Sequence, residues 1–177
     1  MQSRLSKRGK CYNNYMLTLE QMLIRFAVAL VLGAILGIER ELVGKQETGI
    51  RTEMLVAAGS TIFTMVGLTL PYLVSADTGN LADVIARNSG SLQIIANIVI
   101  GIGFLGAGLI VKDGGHPHNL TTAALVWTTA AIGILVGIGL LTFAAIVTVI
   151  IAILLFILRK LSITEEFERH TDSISTS

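Results

Sequence analysis

Apolar residues gather into five long runs along the chain, separated by short polar stretches. The runs cover about residues 19–38, 53–74, 92–111, 120–137 and 140–158. Each is near the roughly 20 residues that carry an α-helix across a bilayer. They are continuous, whereas a membrane-barrel strand needs about ten residues of alternating polarity, so they read as helices. In hydrocarbon only helices and closed barrels satisfy their backbone groups. The pattern predicts an all-α, polytopic integral membrane protein with five transmembrane helices. Residues 1–18 form an N-terminal tail, 19–158 the membrane domain and 159–177 a short polar tail.

The edges of the runs carry their own signals. Thr18-x-x-Gln21 reads as a capping box with a Leu17/Met22 staple, which starts the first helix. Arg25 lies one to two turns in and can snorkel to the headgroups. Pro71 stands near the exit of the second run, and Gly137-Ile138-Gly139 separates the last two as a tight helical hairpin. The polar stretches 42–49, 75–91 (with a short helix expected at 81–87) and 112–119 are loops. No internal repeat suggests an inverted-repeat transporter.

Composition supports lipid as the solvent. The 177 residues are 53% hydrophobic and 14% charged, against about 25% charged in a soluble domain. A net charge of +1 gives no pull toward nucleic acid. A single cysteine, Cys11, excludes a disulfide framework and a multi-cysteine metal site. No G-x-S-x-G, H-E-x-x-H or Walker lysine is present, so no enzyme, no ATPase and no cofactor is expected.

Orientation follows from Lys and Arg. One side carries Arg4, Lys7, Arg8, Lys10 and Arg87; the other carries Arg40, Lys45, Arg51, Lys112, Arg159, Lys160 and Arg169. If Met16 is the true start, only Arg87 remains on the first side, which places the C-terminus in the cytoplasm. A secretory signal is disfavoured because Glu-Arg-Glu, not a small-residue cleavage site, follows the first run.

Gly101, Gly103 and Gly106 in "IVIGIGFLGAGLIV" match the dinucleotide fingerprint G-x-G-x-x-G. That fingerprint needs a preceding strand and an acidic residue about 20 positions on. Here it lies mid-span and "LVWTT" stands where the acid should be, so no nucleotide is expected. Two other readings remain. In one, Asn97, Gly101 and Gly108 face one neighbouring helix while Ala96, Gly103, Gly106 and Ala107 face another, which sandwiches the third helix. In the other, the glycines loosen the helix so that carbonyls line a cavity beside Asn97. Small-residue stripes recur as Ala29/Gly33/Gly37 on the first helix and Thr122/Thr129/Gly133 on the fourth. Thr121, Ala124, Thr128 and Ala131 mark an adjoining face, so a buried and partly polar fourth helix is expected.

The segment "GIERELVGKQETGIRTEML" holds the richest chemistry. Glu39, Arg40 and Glu41 end the first helix, and Arg51, Thr52 and Glu53 begin the second, at one interface level. Charges close to hydrocarbon should pair, Glu39 or Glu41 with Arg51 and Arg40 with Glu53. The cluster is either a set of solvated interfacial charges or a gate, cation site or docking point; hard cations such as Mg²⁺ prefer carboxylate and carbonyl oxygen. "HPH" at His116 to His118 reads as a polar turn, and no metal ligand set is assigned. The indole N–H of Trp127, inside the fourth span, calls for a partner such as Asn97 or a helix carbonyl.

In order, "LGAILGIEREL", "GIRTEMLVAAGSTIFT", "IVIGIGFLGAGLIV" and "LTTAALVWTTAAIG" resemble the MgtC/SapB family of bacterial inner-membrane proteins over about residues 24–141. The resemblance implies a multi-spanning membrane protein, associated with magnesium and low-Mg²⁺ growth, with virulence-associated members that restrain the F-type ATP synthase. It carries the family's acidic-arginine element onto Glu39, Arg40 and Glu41, and its Arg-Thr element onto Arg51 and Thr52. The glycine helix falls on Gly101, Gly103, Gly106 and Gly108, and the Leu-Thr-Thr element on Leu120, Thr121 and Thr122. Asn97 stands where Gln is usual, and "HPHN" where Arg is frequent. Larger members add a cytoplasmic ACT-like domain, for which the chain as given has no room after the fifth helix. The function implied is a non-enzymatic regulator linked to magnesium homeostasis or acid stress, working through contacts with other membrane proteins or by self-association. The alternative is a small, oligomeric transporter of Mg²⁺ or another cation.

Overall fold

A computed structural model describes residues 17–42, 49–78, 90–113 and 116–175. Its elements are α1 (Leu19–Glu41), α2 (Ile50–Thr78), α3 (Gly90–Leu109), β1 (Val111–Asp113), β2 (His116–His118), α4 (Leu120–Ile138) and α5 (Leu141–Ser175). Among the described residues, five helical segments are long and apolar enough to cross a membrane: Leu19–Glu41, Ile50–Leu70, Leu92–Leu109, Leu120–Ile138 and Leu141–Lys160. The short helix expected at 81–87 lies outside the described residues.

The ends follow local chemistry. At α1 the Thr18 hydroxyl accepts the Gln21 N–H at 3.3 Å, and the Gln21 side chain accepts the Thr18 N–H at 3.2 Å, closing the capping box. At the end of α4, Gly139 sits at φ 103°, in the left-handed region open to glycine. Its N–H reaches the Val136 carbonyl at 3.0 Å and the Leu140 N–H reaches Leu135 at 2.9 Å, the paired bonds of a Schellman motif. This turns the chain straight into α5. α2 continues past Pro71, and the polar tail expected from residue 159 instead prolongs α5 to Ser175. The "HPH" turn is the second strand of a two-stranded antiparallel hairpin, with Val111 opposite His118 and Asp113 opposite His116. Two three-residue strands leave the all-α class unchanged.

α2 and α4 form the centre; α1 and α3 each pack on both, and α5 packs on α1 and α4. Backbones meet at glycines, because lipid supplies no hydrophobic push and close approach must do the work. A Cβ on Gly37 would lie 2.5 Å from the Ile50 Cα, and one on Gly33 would lie 2.6 Å from the Glu53 carbonyl oxygen. A Cβ on Gly133 would strike the Ala57 carbonyl oxygen, and one on Gly137 would come within 2.6 Å of the Thr64 Cβ. The Thr61 hydroxyl sits in that seam, 2.9 Å from its own-helix carbonyl at Ala57 and 2.8 Å from the Gly133 carbonyl of α4. Ala29, Leu32 and Leu36 of α1, Ala57 of α2, Leu125, Ile132 and Val136 of α4 and Ala144 of α5 fill the core. The stripes Ala29/Gly33/Gly37 on α1 and Thr122/Thr129/Gly133 on α4 are buried, whereas the adjoining face of α4 is not: Thr121 and Ala124 are exposed, and Thr128 and Ala131 are only partly covered.

Candidate functional site

The sequence places Glu39, Arg40, Glu41, Arg51, Thr52 and Glu53 together; the structure divides them. Glu41 and Arg51 are exposed at the helix ends. Thr52 lines a cleft between α2 and α3. Glu39, Arg40 and Glu53 are buried. The expected pairs across the loop do not close; instead Arg40 Nε donates to its neighbour Glu39 Oε2 at 2.8 Å. Adjacent residues on a helix ordinarily face apart, so no spacing rule reveals this pair.

Glu53 also lies deeper than one interface level. Gly33, in the body of α1, packs on its backbone, and its side chain interacts with Thr129 and with the charge of Arg40. Thr129 stands nine residues after Leu120, the start of α4, which is ~13 Å along the helix axis. The Glu53 side chain is 0% exposed, as is Thr129. Among the described residues, neither carboxylate oxygen of Glu53 nor Thr129 Oγ1 has a hydrogen-bond partner. The Thr129 hydroxyl therefore neighbours the carboxylate without closing a bond in hydrogen-bonding geometry. Ionised groups at mid-depth cost about 2.5–3.5 kcal/mol each on insertion scales, so an unpaired carboxylate here is an anomaly that asks for a chemical reason.

Elsewhere in the bundle interior lie buried hydroxyls that sequence reasoning passed over. Ser60, Thr61 and Thr64 of α2 and Thr148 of α5 are buried. The threonines donate to carbonyls one turn back: Thr64 to Ser60 at 2.7 Å and Thr148 to Ala144 at 2.8 Å, the habit of Thr inside helices. The signal was present: Ala57, Thr61 and Thr64 recur at helical spacing on one face of α2. On α4, Thr122 is buried while Thr121 is exposed.

α3 departs most from expectation. It runs unbroken through the glycine motif, so its backbone is not loosened to line a cavity, and no strand precedes the fingerprint. Nor is it sandwiched. Only Gly106 meets α4, 3.7 Å from the Ala123 carbonyl oxygen as a Cβ would see it. No described residue stands within 4 Å of a Cβ on Gly101, Gly103 or Gly108. Only 6% of its spanning segment is buried, against 61% for α4. Between α2 and α3 lies a cleft of about 730 Å³, lined by Thr52, Gly59, Ser60, Asn97 and Gly101 among apolar side chains. Asn97 accepts from Gln93 Nε2 at 3.3 Å, one turn back on the same exposed helix, and so does not serve Trp127. Trp127 is 50% exposed on the outside of α4, where an amphipathic ring meets lipid without the expected internal partner.

At the other end of the bundle Arg25 does not reach outward. Its Nη1 donates to the Gly137 carbonyl at 2.6 Å, capping the C-terminal carbonyls of α4 with a positive charge. Among the described residues no three His, Cys, Asp or Glu side chains come together as a metal site.

Residues 26–163 match the MgtC family. Protein MgtC of Brucella abortus is 39% identical over 142 residues, covering 80% of this chain and 53% of the relative. Protein MgtC of Salmonella typhimurium is 36% identical over 138 residues, 78% of this chain and 52% of that one. An uncharacterized Synechocystis protein is 37% identical over 142 residues, 80% of this chain and 54% of its own. The chain thus spans about half the length of the curated relatives it matches. No solved structure matches it.

Proposed function

The chain belongs to the MgtC family, and from that premise we propose that it is a non-enzymatic regulator of the bacterial inner membrane, acting through helix contacts with another membrane protein or a second copy. The setting is magnesium homeostasis or acid stress, which the family resemblance implies. The observation that carries the reading is α3. A span with bare glycines at Gly101, Gly103 and Gly108, and with the amides of Gln93 and Asn97 exposed, offers what membrane helices use to associate: room for a backbone and polar groups to bond. The cytoplasm is assigned to the side bearing Arg40, Arg51, Arg159 and Lys160, where Arg159 also donates to the Leu42 carbonyl at 3.1 Å.

A second reading, a cation transporter, draws on the buried carboxylate of Glu53. Against it stand the backbone-close packing of Gly33 on Glu53 and of Gly133 on Ala57, one turn on, and the complete burial of the carboxylate. Purified protein in liposomes should give no Mg²⁺ flux above that of protein-free vesicles under a Mg²⁺ gradient. Flux that Glu53→Gln or Glu39→Gln abolishes would replace the regulator by the transporter.

A further inference from the structure

Glu53 is not explained by helix packing, and its surroundings narrow what it can hold. α1 faces it with Arg40, whose guanidinium already binds Glu39 at 2.8 Å. α4 faces it with the Thr129 hydroxyl and brings no charged group, since its sequence contains none. On its own helix Arg51 is exposed. α3 contains no titratable residue, and the α5 residues Arg159 and Lys160 stand at the surface of the same end, where Arg159 donates to the Leu42 carbonyl and Lys160 is exposed. With all three buried groups ionised, Glu39, Arg40 and Glu53 sum to one negative charge.

One positive charge balances that sum and two overshoot it. Mg²⁺ also needs near-octahedral coordination and keeps several waters. This pocket offers three unpartnered oxygens, Glu53 Oε1 and Oε2 and Thr129 Oγ1, in a packed interior. A proton needs a single acceptor, and it converts the acceptor-only carboxylate into a donor facing a hydroxyl.

We propose that Glu53 is a proton-binding site: a proton from water forms an O–H bond on one carboxyl oxygen, and that O–H donates to Thr129 Oγ1. The neutral acid leaves Glu39 and Arg40 as a balanced pair. Returning the proton to water leaves Glu53 negative, and Glu39 and Glu53 then compete for the one guanidinium of Arg40. Proton occupancy is in this way coupled to the packing of α1 on α2. The inference does not depend on the regulator reading and would survive its failure.

Infrared difference spectroscopy of the purified full chain tests it. At pH 7.5, where exposed carboxylates are ionised, the wild-type protein should show a carboxylic acid C=O band that moves down on ¹³C-glutamate labelling. The band should disappear as the pH is raised further and be absent from Glu53→Gln. In Thr129→Val it should remain but shift to higher frequency, because the hydrogen bond is lost. A wild-type protein without the labelled acid band overturns the proposal even if neither variant folds. So do identical spectra for wild type and Glu53→Gln, and so does loss of the band on adding Na⁺ or Mg²⁺, which would place a metal cation on the carboxylate.

Discussion

α3 and α4 are both short, apolar and rich in small residues, yet α4 is the most enclosed helix of the bundle and α3 the least. The difference lies in what meets the small residues. Gly133 and Gly137 of α4 receive Ala57, Ser60, Thr61 and Thr64 of α2, themselves small and with hydroxyls turned back onto backbone carbonyls. Gly101, Gly103 and Gly108 of α3 receive nothing from the described residues. A small-residue stripe is half of a contact, and the other half decides whether it is core or surface.

The sharpest way to break the comparison is to add one methyl group to each helix. Gly133→Ala should cost about 2–3 kcal/mol, because the new carbon meets the Ala57 carbonyl and overpacked cores cannot yield cheaply. Gly101→Ala should leave thermal stability in detergent unchanged or slightly raised, since alanine is the better helix former. Equal losses at both positions would mean that α3 is packed after all. A smaller effect comes from the hydroxyl that joins α2 to α4. Thr61→Val keeps the shape and removes the bond to the Gly133 carbonyl, so it should cost about 0.6–1.7 kcal/mol, the range for interhelical bonds in membranes. Asn97→Val on α3 should cost less than Thr61→Val by the same melting measurement, because its amide bonds only within its own exposed helix.

Much of the fold was legible. The spans, the Thr18 capping box, the Gly139 turn and the stripes on α1 and α4 follow from length, capping chemistry and helical spacing, which are local properties. Two things were not. Which face of a membrane helix meets protein is hidden, since lipid tails and core side chains are equally apolar and the polar-out signal of soluble helices is missing. The expected burial of α3 failed for that reason. The depth of Glu53 was hidden too. Its place near one end of the second apolar run suggested the interface, but the packing of Gly33 on its backbone sets it at the level of Thr129. Within the charged segment, only the packing separated the buried Glu39, Arg40 and Glu53 from the exposed Glu41 and Arg51.

The account rests on α3 being the open, partner-seeking helix. Its most direct test is a photo-crosslinking amino acid placed at Phe104, 85% exposed on α3, and as a control at Ile150, 58% exposed on α5, in native membranes. The account predicts a polypeptide adduct from Phe104, resolved by mass as a second copy or another membrane protein, and lipid adducts alone from Ile150. Lipid adducts alone at both positions would contradict it.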